Sequence, residues 1–102
     1  MSTGSTQPFR VSGNATLAAG TASANVPLTG NGEAVLVFNA SAAVAFVRFG
    51  MDATVVAGPA DTPVPAGARM LIHAGSFALT AAALLSAGSG TVFFTRGDGT
   101  TY

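Results

Sequence analysis

Short apolar segments fill this chain, and turn signals interrupt them roughly every eight to twelve residues, which is the spacing of a β-sandwich or barrel. Residues 9–11 open a first strand, interrupted at Ser12-Gly13-Asn14. Residues 15–19 and 22–28 read as two weak strands, and Pro27 confines the second to an edge or a strand end. Gly30-Asn31-Gly32 is a strong turn, since both glycines accept positive φ at little cost. Residues 33–39, apolar on both faces, and residues 43–49, with Ala45, Val47 and Phe49 on one face, follow and read as an antiparallel hairpin at the middle of the sheet. Residues 54–57 read as a short strand and 58–63 as a loop. A Pro-led turn at residues 64–67 then feeds a strand over 68–73. Residues 77–86 are rich in Ala and Leu, which favours helix. They lack a cap, however, and end at Ala87-Gly88-Ser89-Gly90, a hairpin-type turn into 91–95, so the segment is expected to be a strand. The sum is about eight short strands in an all-β, single β-sandwich domain of jelly-roll-like or related Greek-key topology. The domain is expected over residues 9–102, preceded by a flexible N-terminal arm over 1–8.

A chain of 102 residues has room for one core. The apolar fraction of 49% excludes intrinsic disorder, and no run approaches the about 18 apolar residues of a membrane span. Charged residues make up only 8%, with four Arg, no Lys and four acids, for a net charge of zero. Binding driven by nucleic-acid phosphates or anionic lipid needs a positive surplus, so neither nucleic acid nor membrane is an expected partner. A free monomer ordinarily keeps its surface charged and its net charge away from zero. A chain that does neither has a surface rich in Thr, Ser and Gly, or one that a partner covers. The absence of Cys excludes a disulfide framework and a thiolate metal site. No basic region or apolar segment precedes Phe9, so no signal peptide is expected.

The titratable inventory is Glu33, Asp52, Asp61, Asp98, His73 and Tyr102 besides the arginines, too sparse to build acid–base chemistry. The chain is therefore expected not to be an enzyme and to hold no cofactor. One His cannot make a multi-His metal centre, so no metal site is expected either. His73 is expected to be a partly buried polar residue at a strand end. Gly88-Ser89-Gly90-Thr91 lacks the Lys and helix of a phosphate loop. The sequons Asn14-Ala15-Thr16 and Asn39-Ala40-Ser41 are expected to be idle, and Arg96-Gly97-Asp98 to be a strand-ending turn. Arg48 is positioned to pair with Asp52, and Arg69 with Asp61. Phe38, Phe46, Phe49, Phe93 and Phe94 are expected in the core, except that the adjacent Phe93 and Phe94 point to opposite faces, so that one of them can leave it. At the termini Phe9 and Arg10, beside Pro8, and Tyr102 are the candidate partner-interface residues, with the Phe filling a pocket and the Arg pairing.

From Val35 to Asp98 the chain resembles a group of small virion proteins of tailed bacteriophages. The resemblance is carried by Val37-Phe38-Asn39, Ala45-Phe46-Val47-Arg48-Phe49-Gly50, residues 60–67 and residues 90–99, in that order. It implies an accessory capsid β-sandwich with no catalytic residues. Its expected role is a capsid decoration (cement) protein, made in the host cytoplasm and bound to the major capsid protein on the capsid exterior, as a homo-oligomer. Decoration of this kind stabilises a shell because it binds the assembled lattice and not loose subunits. A tail, collar or fibre module is the alternative within the virion. A glycan-binding β-sandwich is the alternative outside it, opposed by the lack of Trp and the single, terminal Tyr.

Overall fold

The computed structural model describes residues 9–30, 32–52, 54–75 and 79–99, and all its regular structure is β. The strands are β1 (Arg10–Ala19), β2 (Ala24–Pro27), β3 (Ala34–Asn39), β4 (Ala45–Gly50), β5 (Thr62–Val64), β6 (Arg69–His73), β7 (Thr80–Leu85) and β8 (Gly90–Asp98). They form two four-stranded antiparallel sheets, ordered β1-β8-β3-β6 and β2-β7-β4-β5. The first strand thus pairs with the eighth, the second with the seventh, the third with the sixth and the fourth with the fifth. Nested pairs of this kind are what a long hairpin produces when it rolls into two sheets, which is the jelly roll. Apart from the link from β4 to β5, every connection crosses from one sheet to the other.

Strand alternation buries one side of each sheet against the other. Ala15, Leu17 and Ala19 of β1, Val35 and Val37 of β3, and Val92 and Phe94 of β8 face Ala45 and Val47 of β4, Val64 of β5, and Ala81, Ala83 and Leu85 of β7. Five of these thirteen core residues are Ala, so Phe94 supplies much of the core's bulk. Its ring meets that of Phe49 edge-on, with centroids 6.0 Å apart.

Several local expectations give way to long-range pairing. Residues 33–39 and 43–49 do not form a hairpin, because β3 and β4 belong to different sheets. The cause is Asn39, which is fully buried where the chain crosses over. Its Nδ2 donates to Ala43 O at 2.7 Å and Val64 O at 2.9 Å, while its Oδ1 accepts from Ser41 N and, at 2.6 Å, from Ser41 Oγ. Its backbone bonds Ala68 and Gly67. The sequon at Asn39 is therefore a buried corner. The turn at residues 87–90 likewise joins two sheets and not two paired strands.

Residues 9–11 and 15–19 belong to one strand, whose register shifts between Val11 and Gly13 as a bulge. Residues 54–57 are not a strand. The loop they belong to lies over the outer face of the second sheet, where Val55 O accepts from Asn25 Nδ2 and the buried Ala57 donates its N–H to Ser23 Oγ. A strand forms instead at β5, across the end of the expected loop and the start of the expected turn, because an edge position tolerates the missing N–H of Pro63. Residues 80–85 are a strand as expected, while 76–78 lie outside the described residues.

The corner makes a direct prediction. Asn39→Asp would point a carboxylate at the Ala43 and Val64 carbonyls and is expected to lower unfolding free energy by about 3 kcal/mol. The exposed Asn14→Asp is expected to change it by under about 0.5 kcal/mol. Urea unfolding of both variants checks this, and equal effects would remove Asn39 from its role at the crossing.

Candidate functional site

The two outer sheet faces differ. On the second sheet, Ala82 points away from the core, between Asn25 of β2 and Arg48 of β4, yet is fully buried beneath the β4–β5 loop. Within that loop Gly58 N donates to Asp61 Oδ2 at 2.7 Å, and Arg48 approaches Asp61 at 3.9 Å. Arg48 thus meets Asp61 where Asp52 was expected, and Asp61 faces Arg48 where Arg69 was expected.

The first sheet carries no such loop among the described residues. Across its outer face the register sets out two rows. One runs Thr16, Phe93, Phe38, Arg69 and the other Asn14, Thr95, Leu36, Leu71. Phe38 and Phe93 stack with centroids 5.9 Å apart and planes 18° from parallel. Thr95 Oγ1 donates to Asn14 Oδ1 at 2.9 Å. Asn14, Leu36, Phe38, Gly67, Arg69, Phe93 and Thr95 line a shallow groove of about 620 Å³. Of the five rings expected in the core, then, only Phe94 is fully buried and Phe49 packs against it. Phe38, Phe93 and Phe46 stand on outer faces, each half-buried. That Phe93 would leave the core was legible in the Phe93-Phe94 pair. That Phe38 would join it depends on β3 lying beside β8, which no local signal shows.

A second surface lies at the end of the sandwich where β2, β4, β6 and β8 end and β1, β3, β5 and β7 begin. Val11, Met51 and Leu79 are large, apolar and more than half exposed there, and Val56 joins them from the loop over the second sheet. Leu79 N donates to Gly50 O, which brings residue 79 beside Met51. Phe9 is at this end too, half-buried, its Cζ 3.1 Å from where a Cβ on Gly97 would lie. Arg10 is exposed opposite Asp98. The expected N-terminal arm over 1–8 and Tyr102 lie outside the described residues.

Two further residues depart from expectation here. His73 is exposed and not partly buried, with Nε2 3.0 Å from Gly99 O. Arg96 is not in a turn but inside β8, buried, donating to Gly32 O at 3.0 Å and Gly75 O at 3.3 Å. It ties together two connections of the exposed apolar end.

The bare Cα of Gly97 makes this packing possible, because an added Cβ would collide with Arg10 O and crowd the Phe9 ring. Gly97→Ala is expected to cost about 1–3 kcal/mol and to speed amide exchange at Arg10 and Val11 before the rest of β1. Hydrogen exchange reads this directly, and unchanged protection would detach residues 9–11 from β8. No family model, curated protein or solved structure matches this chain.

Proposed function

We propose that this chain is a structural, non-catalytic protein of a tailed-bacteriophage virion, a decoration protein that binds the major capsid protein on the outside of the assembled shell. The observation that carries the docking mode is the exposure of Val11, Met51 and Leu79 at the same end of the sandwich, Leu79 beside Met51, an end that Phe9 and Arg10 share. Large apolar side chains clustered on a surface mark interaction sites. Aromatic and Arg residues are the usual anchors of such contacts. The resemblance over residues 35–98 supports the virion setting. The Lys-free composition with zero net charge fits an exterior position better than one against packaged DNA. Binding to the lattice and not to free subunits gives such a protein its stabilising effect, and self-association would multiply it.

Quantitative mass spectrometry of purified particles tests the role. About one copy per major capsid protein, or about one per three, is the expected result. A handful of copies would move the protein to tail, collar or fibre, and absence from particles would end the virion reading. The docking mode has its own test. Met51→Asp with Leu79→Asp is expected to lower occupancy on particles at least about ten-fold while leaving the thermal midpoint of the free protein within about 3 °C. Full occupancy by the double variant would exclude this end as the contact.

A further inference from the structure

The first sheet ends on one side at β6. We propose that this edge pairs with the β6 of a second copy, antiparallel about a two-fold axis at Leu71. The inference is independent of the virion reading, since it concerns the isolated protein and a side of the sandwich other than the Met51–Leu79 end.

Sheet edges invite further pairing, and proteins ordinarily blunt them with Pro, bulges, short strands or a covering loop. Three of the four edges here are blunted. β2 carries Pro27, and β5, three residues long, carries Pro63. β1 is bulged between Val11 and Gly13, and Thr29 Oγ1 donates to its Asn14 carbonyl at 3.1 Å. β6 has neither Pro nor bulge over residues 69–73, and among the described residues only β3 pairs with it. Its three central residues, Met70, Leu71 and Ile72, are apolar.

The ladder with β3 fixes which backbone groups are left over. Glu33, just before β3, and Asn39, its last residue, both bond towards β6. Gly75 N donates to Glu33 O, Asn39 N donates to Ala68 O, and Gly67 N donates to Asn39 O. Ala40 N, in contrast, donates to Thr91 O on the β8 side. Odd residues of β3 therefore aim their N–H and C=O groups at β6, and Val35 and Val37 lie opposite Ile72 and Met70. Leu71 lies between those two, so its own N–H and C=O point away from β3, out of the open edge.

A second copy fits what is left. Centred on Leu71, two antiparallel β6 strands pair over all five residues, and each Leu71 exchanges both bonds with its counterpart. The two four-stranded sheets become one continuous sheet, and the two-fold axis closes the assembly at a dimer. Side chains agree with the backbone. Met70 and Ile72 share the inner side with Val37 and Val35. β3 faces β5, the last strand of the second sheet, so β6 stands beyond that sheet's edge. Met70 is accordingly 36% exposed although it points inward. In the pair each Met70 lies opposite the Ile72 of the other copy, which covers apolar surface that one chain leaves open. A net charge of zero removes the overall repulsion that identical chains otherwise feel.

Five paired residues make a small interface, so the dimer is expected to be reversible, with a Kd of about 0.1–1 mM. Sedimentation equilibrium of the full chain up to about 2 mM measures it. Leu71→Pro removes only the outward N–H, and is expected to weaken the dimer at least about ten-fold while the thermal midpoint stays within about 3 °C. Met70→Lys, which places a charge in the same edge, is expected to do likewise and serves should Leu71→Pro not fold. The chain has no Cys, so one introduced thiol reports the axis. Cα atoms of a hydrogen-bonded antiparallel pair lie about 5.5 Å apart, within disulfide reach. Leu71→Cys is therefore expected to link two copies on mild oxidation at least about ten times faster than Ser89→Cys, an exposed control. The Met51→Asp, Leu79→Asp protein is expected to dimerise as the parent does, which separates this interface from the contact with particles. A chain still monomeric at about 2 mM, a dimer that both Leu71→Pro and Met70→Lys leave intact, or equal linking at residues 71 and 89 would each overturn the proposal.

Discussion

The crossing at Asn39 decides which fold this chain can have. The residues on either side of it are two short apolar strands joined by five small residues, a pattern that locally suits a hairpin as well as anything else. What distinguishes the two outcomes is the amide. In the crossover its Nδ2 and Oδ1 serve the connection at Ala43 and Ser41 and reach Val64 in the opposite sheet, while its backbone bonds residues 67 and 68. One fully buried residue, side chain and backbone together, thus bonds the 41–43 connection, β5 and the turn at residues 67–68. Buried polar groups that are fully satisfied favour one arrangement over its competitors, because the alternatives leave them unpaired. Arg96 has a parallel role at the other end, where its guanidinium spans the connections at Gly32 and Gly75.

Between these two polar ties the core is thin. Alanine at residues 15, 19, 45, 81 and 83 lets the sheets close on each other with little to interlock except Leu17, Leu85, Phe94 and the valines. A sandwich built this way has few inward positions large enough for an aromatic ring. Phe38, Phe46 and Phe93 therefore stand on the outside, and the sheets have been treated differently: one outer face lies under the β4–β5 loop, the other presents its rings. Small residues inside and aromatic residues outside are two sides of one packing solution. It leaves a ten-kilodalton chain with scarcely any charge two outer faces of unlike character.

Much of the architecture is legible in the residues themselves. Turn spacing, period-two alternation and the apolar stretches at residues 33–39 and 43–49 give the class, the number of strands and the centrality of β3 and β4. Partner choice is not local, and it is there that sequence reasoning goes astray: the hairpins expected at residues 40–42 and 87–90 are sheet-to-sheet connections. The candidate surfaces follow the same division. Phe93 is separable from Phe94 by parity alone, but its stacking on Phe38 needs the β3–β8 register, and Arg69 joins them only because β6 borders β3 on the other side. Asn39 carried a visible signal, a sequon, whose meaning was its hydroxyl neighbour Ser41 and not a glycan.

The nested pairing also fixes an order of events. β8 is the neighbour of both β1 and β3, so before it is made the first sheet has no centre, and two apolar strands remain with open edges. A ribosome that has released residues 10–75 has released no complete sheet. Folding of this domain therefore waits on β8 and is governed by the slow closure of long loops, with exposed strand edges during the interval. Truncation within residues 90–98 would leave the chain held in that vulnerable state, and its fate there would be aggregation and not a smaller stable domain.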